Sequence, residues 1–201
     1  MDAQQSWRVA SLSPARRADF LGFFDHERGR AFADNPAWAG CYCHYFHTAM
    51  ALDWSSLDAD ANRTAIGARI EVGEMEGFLA YDDDDSVVGW LNAQPRHKLP
   101  HCFDRLGFPP SPIDVAPHDA ALVTCLVVDP VSPKRAIARS LLMNAIDSFK
   151  SRGMRVIDAF PDAAATSSAA HCRGSVALFE SLGFVRLATH DGTIVVRRML
   201  S

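Results

Sequence analysis

No apolar run in the 201 residues reaches the roughly 18 to 20 that a membrane-spanning helix needs. The opening Met-Asp-Ala-Gln-Gln lacks a basic region followed by an apolar core, so no secretory signal is read there and a cytoplasmic protein is expected. A cationic surplus is missing too. Net charge is -4 with Lys and Arg scattered, which gives nucleic acid no basic footprint. Cysteine shows no disulfide pattern: Cys41, Cys43, Cys102, Cys125 and Cys172 are an odd, widely spread set, which implies reduced thiols. Zinc-finger spacing is also absent. Cys41 and Cys43 form a C-x-C pair with no second Cys/His pair at finger-like distance, so no metal is expected.

The hydrophobic content, 48%, is enough to fill one core, and residues 1–201 are read as a single domain. Trp7–Ala10 reads as an opening strand. Ser13-Pro14 starts a helix with Ser13 as cap and Pro14 at its first position, carrying Phe20, Leu21, Phe23 and Phe24 on an apolar side. Asn62 is expected to cap a second helix running to about Val72. Gly77–Tyr81 and Ser86–Ala93 are strand-like, and Asp82–Asp85 between them reads as a solvated hairpin turn.

The apolar run Ala121–Val128 stops at Asp129-Pro130, and a short basic loop leads at once into an amphipathic helix. That order aims backbone N–H groups at phosphate. Lys134, Arg135 and Arg139 gather there, and cations at a helix start oppose its dipole unless an anion is bound. Ala138, Leu141, Leu142, Ala145, Ile146 and Phe149 recur at helical spacing until Gly153. Arg155–Phe160 is the next strand, Ser175–Leu182 a helix closed by Gly183, and Phe184–Ala188 and Thr193–Met199 are joined by the Asp191-Gly192 turn.

In this order the chain resembles the GNAT superfamily of acyl-CoA-dependent N-acyltransferases. The family's pyrophosphate loop, Q/R-x-x-G-x-G/A, aligns with Pro133-x-x-Ala136-x-Ala138, and its C-terminal aromatic and Gly-Phe pair with Phe179-Glu-Ser-Leu-Gly-Phe184. Trp38-Ala-Gly-Cys41-Tyr-Cys43 and Val88–Arg96 resemble an uncharacterised bacterial subgroup. The resemblance implies an α/β GNAT fold: a mixed sheet of about seven strands, splayed between strands 4 and 5 and flanked by helices. It implies an N-acetyltransferase using acetyl-CoA as co-substrate, by direct attack of a small-molecule or peptide amine. Main-chain groups of Leu126, Val127 and Val128 would hold the pantetheine arm, the amides of Lys134, Arg135, Ala136, Ile137, Ala138 and Arg139 the pyrophosphate, and Phe179 would pack against the thioester.

The acceptor side is expected near Tyr42, Cys43, His44 and Asn92. For the dense segment Trp38–His47, read as extended, three roles stay open: a wall against the sheet, an acceptor pocket, or a metal site. Pattern and family differ at the chemistry. Ala121–Val128 has no carboxylate, Phe179 stands where many members have a tyrosine, and Cys172 where many have an asparagine. Cys125, His44, His47, His118 and His171 are the available substitutes, and no catalytic residue is assigned. These departures motivate an alternative, a non-catalytic acyl-CoA sensor or partner-docking module. The Pro- and His-rich stretch 94–119 is long enough to act either as a lid or as a contact within a homodimer.

Overall fold

The computed structural model describes residues 7–25, 29–108, 115–162 and 172–200. His171, among the candidate imidazoles, and residues 109–114 of the long loop lie outside them. The strands are β1 (Arg8–Ser11), β2 (Phe78–Tyr81), β3 (Val87–Pro95), β4 (Ala120–Val128), β5 (Val156–Ala159), β6 (Val185–His190) and β7 (Thr193–Met199). The helices are α1 (Arg17–Phe24), α2 (Ala59–Glu71), α3 (Cys102–Arg105), α4 (Lys134–Ser151) and α5 (Val176–Glu180). The strands make one sheet in the order β1-β2-β3-β4-β5-β7-β6. β4 and β5 run parallel, with α4 as their crossover, and the other pairs are antiparallel.

Two irregularities in β4 shape the molecule. β5 pairs with it only from Ala120 to Val123, so the second half of β4 splays away with one edge open. On its other edge Asn92 faces Cys125 while Ala93 faces Val123, so Thr124 is an extra, bulged residue. The bulge reverses the alternation. Before it, Ala121 and Val123 lie on the α4 side; after it, Leu126 does, and Cys125 and Val127 join the opposite face.

On the first face α4 buries Ile137, Leu141, Leu142, Ala145, Ile146 and Phe149, the i, i+3/i+4 stripe its sequence predicts. Each large side chain of the stripe, Ala145 excepted, contributes about 1.5–3 kcal/mol, and Gly153, at φ 76°, ends the helix. On the opposite face Phe20, Phe24, Ile66 and Ile70 from α1 and α2 close over Leu79 and Trp90. The Phe20 ring meets the fully buried Trp90 edge-on at 4.8 Å.

Three local expectations are corrected. α2 is capped by Asp58, whose carboxylate accepts from the Ala61 amide at 2.8 Å. Asn62 lies inside the helix, buried, because its side chain is bound to His44 and to the Gly40 carbonyl. Ser13 is extended but does not cap: a 3-10 turn, Pro14–Arg16, precedes α1, and the Arg16 guanidinium donates to the Ser13 hydroxyl at 3.3 Å. Trp38–His47 is not extended. It coils in two 3-10 turns linked through Tyr42 and Cys43, both left-handed at φ 44° and 54°. The Asp191-Gly192 turn, with φ 45° and 79°, has the two left-handed residues that a tight hairpin demands.

Candidate active site

The splay leaves a cleft of about 440 Å³ along the open edge of β4. Leu126, Val127 and Val128 line one side, Cys172, Gly174, Ser175 and Leu178 the other, and Lys134, Arg135 and Ala138 the end at the start of α4. The first amides of a helix have no intrahelical acceptor. Here those of Ala136 and Ile137 turn back to the Pro133 carbonyl, while those of Ala138 and Arg139 sit in the i to i−4 ladder. Lys134 and Arg135 therefore head the helix with their N–H groups outward. The Lys134 ammonium lies 3.9 Å from the Asp34 carboxylate.

The segment after residue 171 docks on the open edge, where the Leu126 amide donates to the Cys172 carbonyl. Alternation then puts the Leu126 carbonyl and the Val128 amide on the same edge, with Val127 turned to β3. Gly174 permits this close approach. Its φ is 79°, and a Cβ there would come 2.8 Å from the Phe179 ring and 3.3 Å from Leu126.

Beyond Cys172 and Phe32 the cleft continues into an inner pocket of about 360 Å³. Its walls are largely aromatic, from Trp38, Tyr45, Phe46 and Trp54, and the bulge presents Thr124 and Cys125 to it together. The Thr124 hydroxyl is buried with no hydrogen-bond partner. Cys41, Cys43 and Cys172 complete a thiol-rich lining.

A layer of polar anchors holds this wall. The Tyr42 hydroxyl donates to Asp25 at 2.9 Å, and Arg63 grips the same carboxylate at 2.7 and 3.0 Å. Burial, then the Asp25 bond, raises the Tyr42 phenol to about 12, so it keeps its proton at neutral pH. His44 Nδ1 meets Asn62 Oδ1 at 2.8 Å, and burial lowers its pKa. Behind them, Gln94 Nε2 donates to Asn92 Oδ1 at 2.7 Å and approaches His47 Nε2 at 3.0 Å. Burial, reinforced by the Arg69 charge, pushes the His47 imidazole down to about 3.

Of the residues singled out in the sequence, Leu126, Val127, Val128, Lys134, Arg135 and Ala138 line the cleft together. Ile137 and Phe179 are fully buried in the core, and Ala136 and Arg139 lie outside the cleft on an exposed patch. Cys43 faces the inner pocket; Tyr42, His44 and Asn92 stand outside its lining as anchors. His118 lines neither the cleft nor the inner pocket and is stacked on His97 at 4.2 Å. Thr124, Phe32, Trp54, Arg173 and Gly174 were not anticipated. Only the bulge brings Thr124 in, and strand periodicity gives no sign of a bulge. Among the described residues no group of three His, Cys, Asp or Glu side chains is arranged to hold a metal ion. No described helix is long and apolar enough to cross a membrane.

No protein-family model matches the sequence, and no curated protein does. Solved structures do match. The N-acetyltransferase from Staphylococcus aureus Mu50 superposes with a TM-score of 0.57 at 16% identity, over 98% of this chain and 99% of that one. The yncA protein from Salmonella typhimurium, solved with its cofactor acetyl-CoA, gives 0.52 at 16% identity over 97% and 94%. The paia N-acetyltransferase from Thermoplasma acidophilum, in complex with coenzyme A, gives 0.53 at 11% over 96% and 99%. The chain has the GNAT fold.

Proposed function

We propose that this protein is an N-acetyltransferase that moves an acetyl group from acetyl-CoA to the amine of a small molecule or peptide. The observation that carries the reading is the single path from a helix start with outward amides and two cations, along an open strand edge, into a pocket with largely aromatic walls. The residues suit the co-substrate: outward helix amides and cationic side chains meet phosphate, and an open strand edge meets an amide-bearing arm. When bound, acetyl-CoA supplies the activated carbonyl.

The chain's own groups have these tasks. Lys134 and Arg135 hold the pyrophosphate with their amides and their charges. The Leu126 carbonyl and Val128 amide fix the pantetheine arm, which sets the depth of the thioester. The Thr124 hydroxyl, with no partner of its own, donates to the oxygen on which negative charge develops. The aromatic walls take the apolar part of the acceptor, and an amine enters them neutral because burying an unpaired ammonium is costly.

A second reading, a non-catalytic acyl-CoA sensor or docking module, is favoured by Phe179, which has no proton to give and is buried in the core. Calorimetric titration with acetyl-CoA, desulfo-CoA and ADP, followed by thiol release across an amine panel, separates the two. Saturable binding with amine-dependent release of CoA supports the enzyme; binding without release on any amine supports the sensor; no binding removes both.

A further inference from the structure

The inner pocket borders two other spaces. On one side it shares Phe32 and Cys172 with the cleft. On another it shares Trp38, Cys41 and Trp54 with a second recess, of about 400 Å³, that Gly40, Leu57 and Ala59 also line. The two tryptophans thus stand between the pocket and that recess, Trp54 half-buried and Trp38 exposed at the rim. Neighbouring rings hold them in place. Trp54 meets Tyr45 edge-on at 5.2 Å, Tyr45 meets Phe46 edge-on at 5.1 Å, and Trp38 leans on Phe32 at 6.1 Å.

Charge is nearly absent from these walls. Among the described residues, neither the pocket nor the recess is lined by an Asp or a Glu. The one charged side chain is Arg173, and its terminal nitrogens already donate to Asp162 at 2.9 Å and to the Thr193 hydroxyl at 3.2 Å. A second ammonium on an acceptor therefore finds no carboxylate, and a carboxylate finds a guanidinium that is already paired. Burying either charge without a partner is costly. A peptide is poorly served too: its amide groups leave water for walls of rings and thiols, in a space of about 360 Å³, near the small end of the roughly 300–1,000 Å³ of ligand pockets. A flat ring, by contrast, finds aromatic partners on several sides.

We propose that the acceptor is an aryl monoamine, one primary amine joined by a short neutral chain to an aromatic ring, and that Trp38 and Trp54 select it. This rests on the acetyltransferase reading above and narrows its acceptor. The amine enters from the recess, on a different side from the cleft that takes acetyl-CoA. Its ring stays among Trp38, Tyr45 and Trp54, and its nitrogen reaches the end lined by Phe32 and Cys172, where the cleft begins. Selection works in two ways. The indoles reward a ring with contact area, and the walls turn away a second ammonium or a carboxylate because nothing there compensates its lost hydration.

The test has two arms. In the first, thiol release at saturating acetyl-CoA is followed with phenethylamine, butylamine, diaminobutane, phenylalanine and the peptide Phe-Gly-Gly. Phenethylamine should exceed each of the others at least about tenfold in kcat/KM. Trp54→Ala, and Trp38→Ala as the exposed variant that leaves packing intact, should each raise its KM about tenfold with kcat held, the mark of lost binding rather than lost chemistry. In the second arm phenethyl alcohol, a neutral isostere of the amine, is added to the protein without acetyl-CoA and read by saturation-transfer NMR. It should bind, and more weakly in both variants. Preference for the diamine, the amino acid or the peptide, or a ranking that both tryptophan variants leave unchanged, overturns the acceptor assignment and leaves the acetyltransferase standing. Absence of alcohol binding overturns the assignment as well. Alcohol binding that needs the tryptophans, in a protein that neither binds acetyl-CoA nor releases thiol, supports the aryl pocket and removes the acetyltransferase reading.

Discussion

His47 has its Nδ1 shut away from solvent without a partner, and its neutral ring is wedged between Gln94 and the Arg69 charge. Its pKa is depressed in the fold, to about 3, so the unfolded chain binds this proton first. The stabilisation is complete above about pH 6.5 and is lost as pH falls toward 3. Between pH 6.5 and 5 the fold should lose about 1 to 2 kcal/mol through this ring. Urea melts of wild type and His47→Gln at pH 7.5 and 5.0 check it: the variant should lose less on acidification, and equal losses would remove the assignment. Arg135 supplies the second residue-scale prediction. It is exposed at the cleft's end, so Arg135→Glu should weaken acetyl-CoA binding about tenfold with the melting temperature held, by replacing a charge-assisted contact with repulsion. The defect should shrink as salt rises, since a contact open to water is screened. The cation was legible from the sequence because its place before an amphipathic helix carries meaning by itself. Thr124 was not, because a lone threonine in an apolar strand looks the same with or without a bulge.

At the scale of elements, β5 and β7 are bolted together by an ion pair in the sheet interior. Arg197 donates to both oxygens of the fully buried Asp158, at 2.7 and 3.0 Å, from the directly facing register position. Burial raises the Asp158 pKa and Arg197 opposes the rise. Removing one partner strands the other, so Asp158→Ala should cost about 3–5 kcal/mol, read as a drop in the denaturant midpoint. Asp158→Ala paired with Arg197→Met should recover much of it. A single mutant as stable as wild type would show that the pair carries no stability. The element sequence itself was readable because α4 keeps an unbroken helical period and the central strands read as apolar runs bounded by turn residues. The segment from Trp38 to His47 was misread as extended because its rings alternate in sequence as they would in a strand. Its path is set instead by two left-handed residues, neither of them the glycine that would have announced a turn.

Across the whole molecule the cleft spans pieces distant in sequence: β4, the start of α4 and the segment after residue 171. A ligand bridging them stabilises the native state by mass action. At acetyl-CoA concentrations about a hundredfold above Kd the gain is about 2.7 kcal/mol, or about 5–10 °C in melting temperature for a domain of this size. Differential scanning fluorimetry should show that shift, and the same concentration of ADP should give a smaller one because it reaches only the helix end. The fold was legible as a whole because element order survives where individual letters drift. The inner pocket was not, since its walls come from residues whose meeting depends on one bulge. That bulge is one surplus residue in β4. Thr124→Val keeps the bulge and should keep the fold, and deleting Thr124 should regularise the strand with Leu126 still on the α4 face and Cys125 still on the aromatic face, removing only the hydroxyl from the pocket. A one-residue gap at this point of β4 would mark a homologue that keeps the sheet and has lost the bulged hydroxyl from its site.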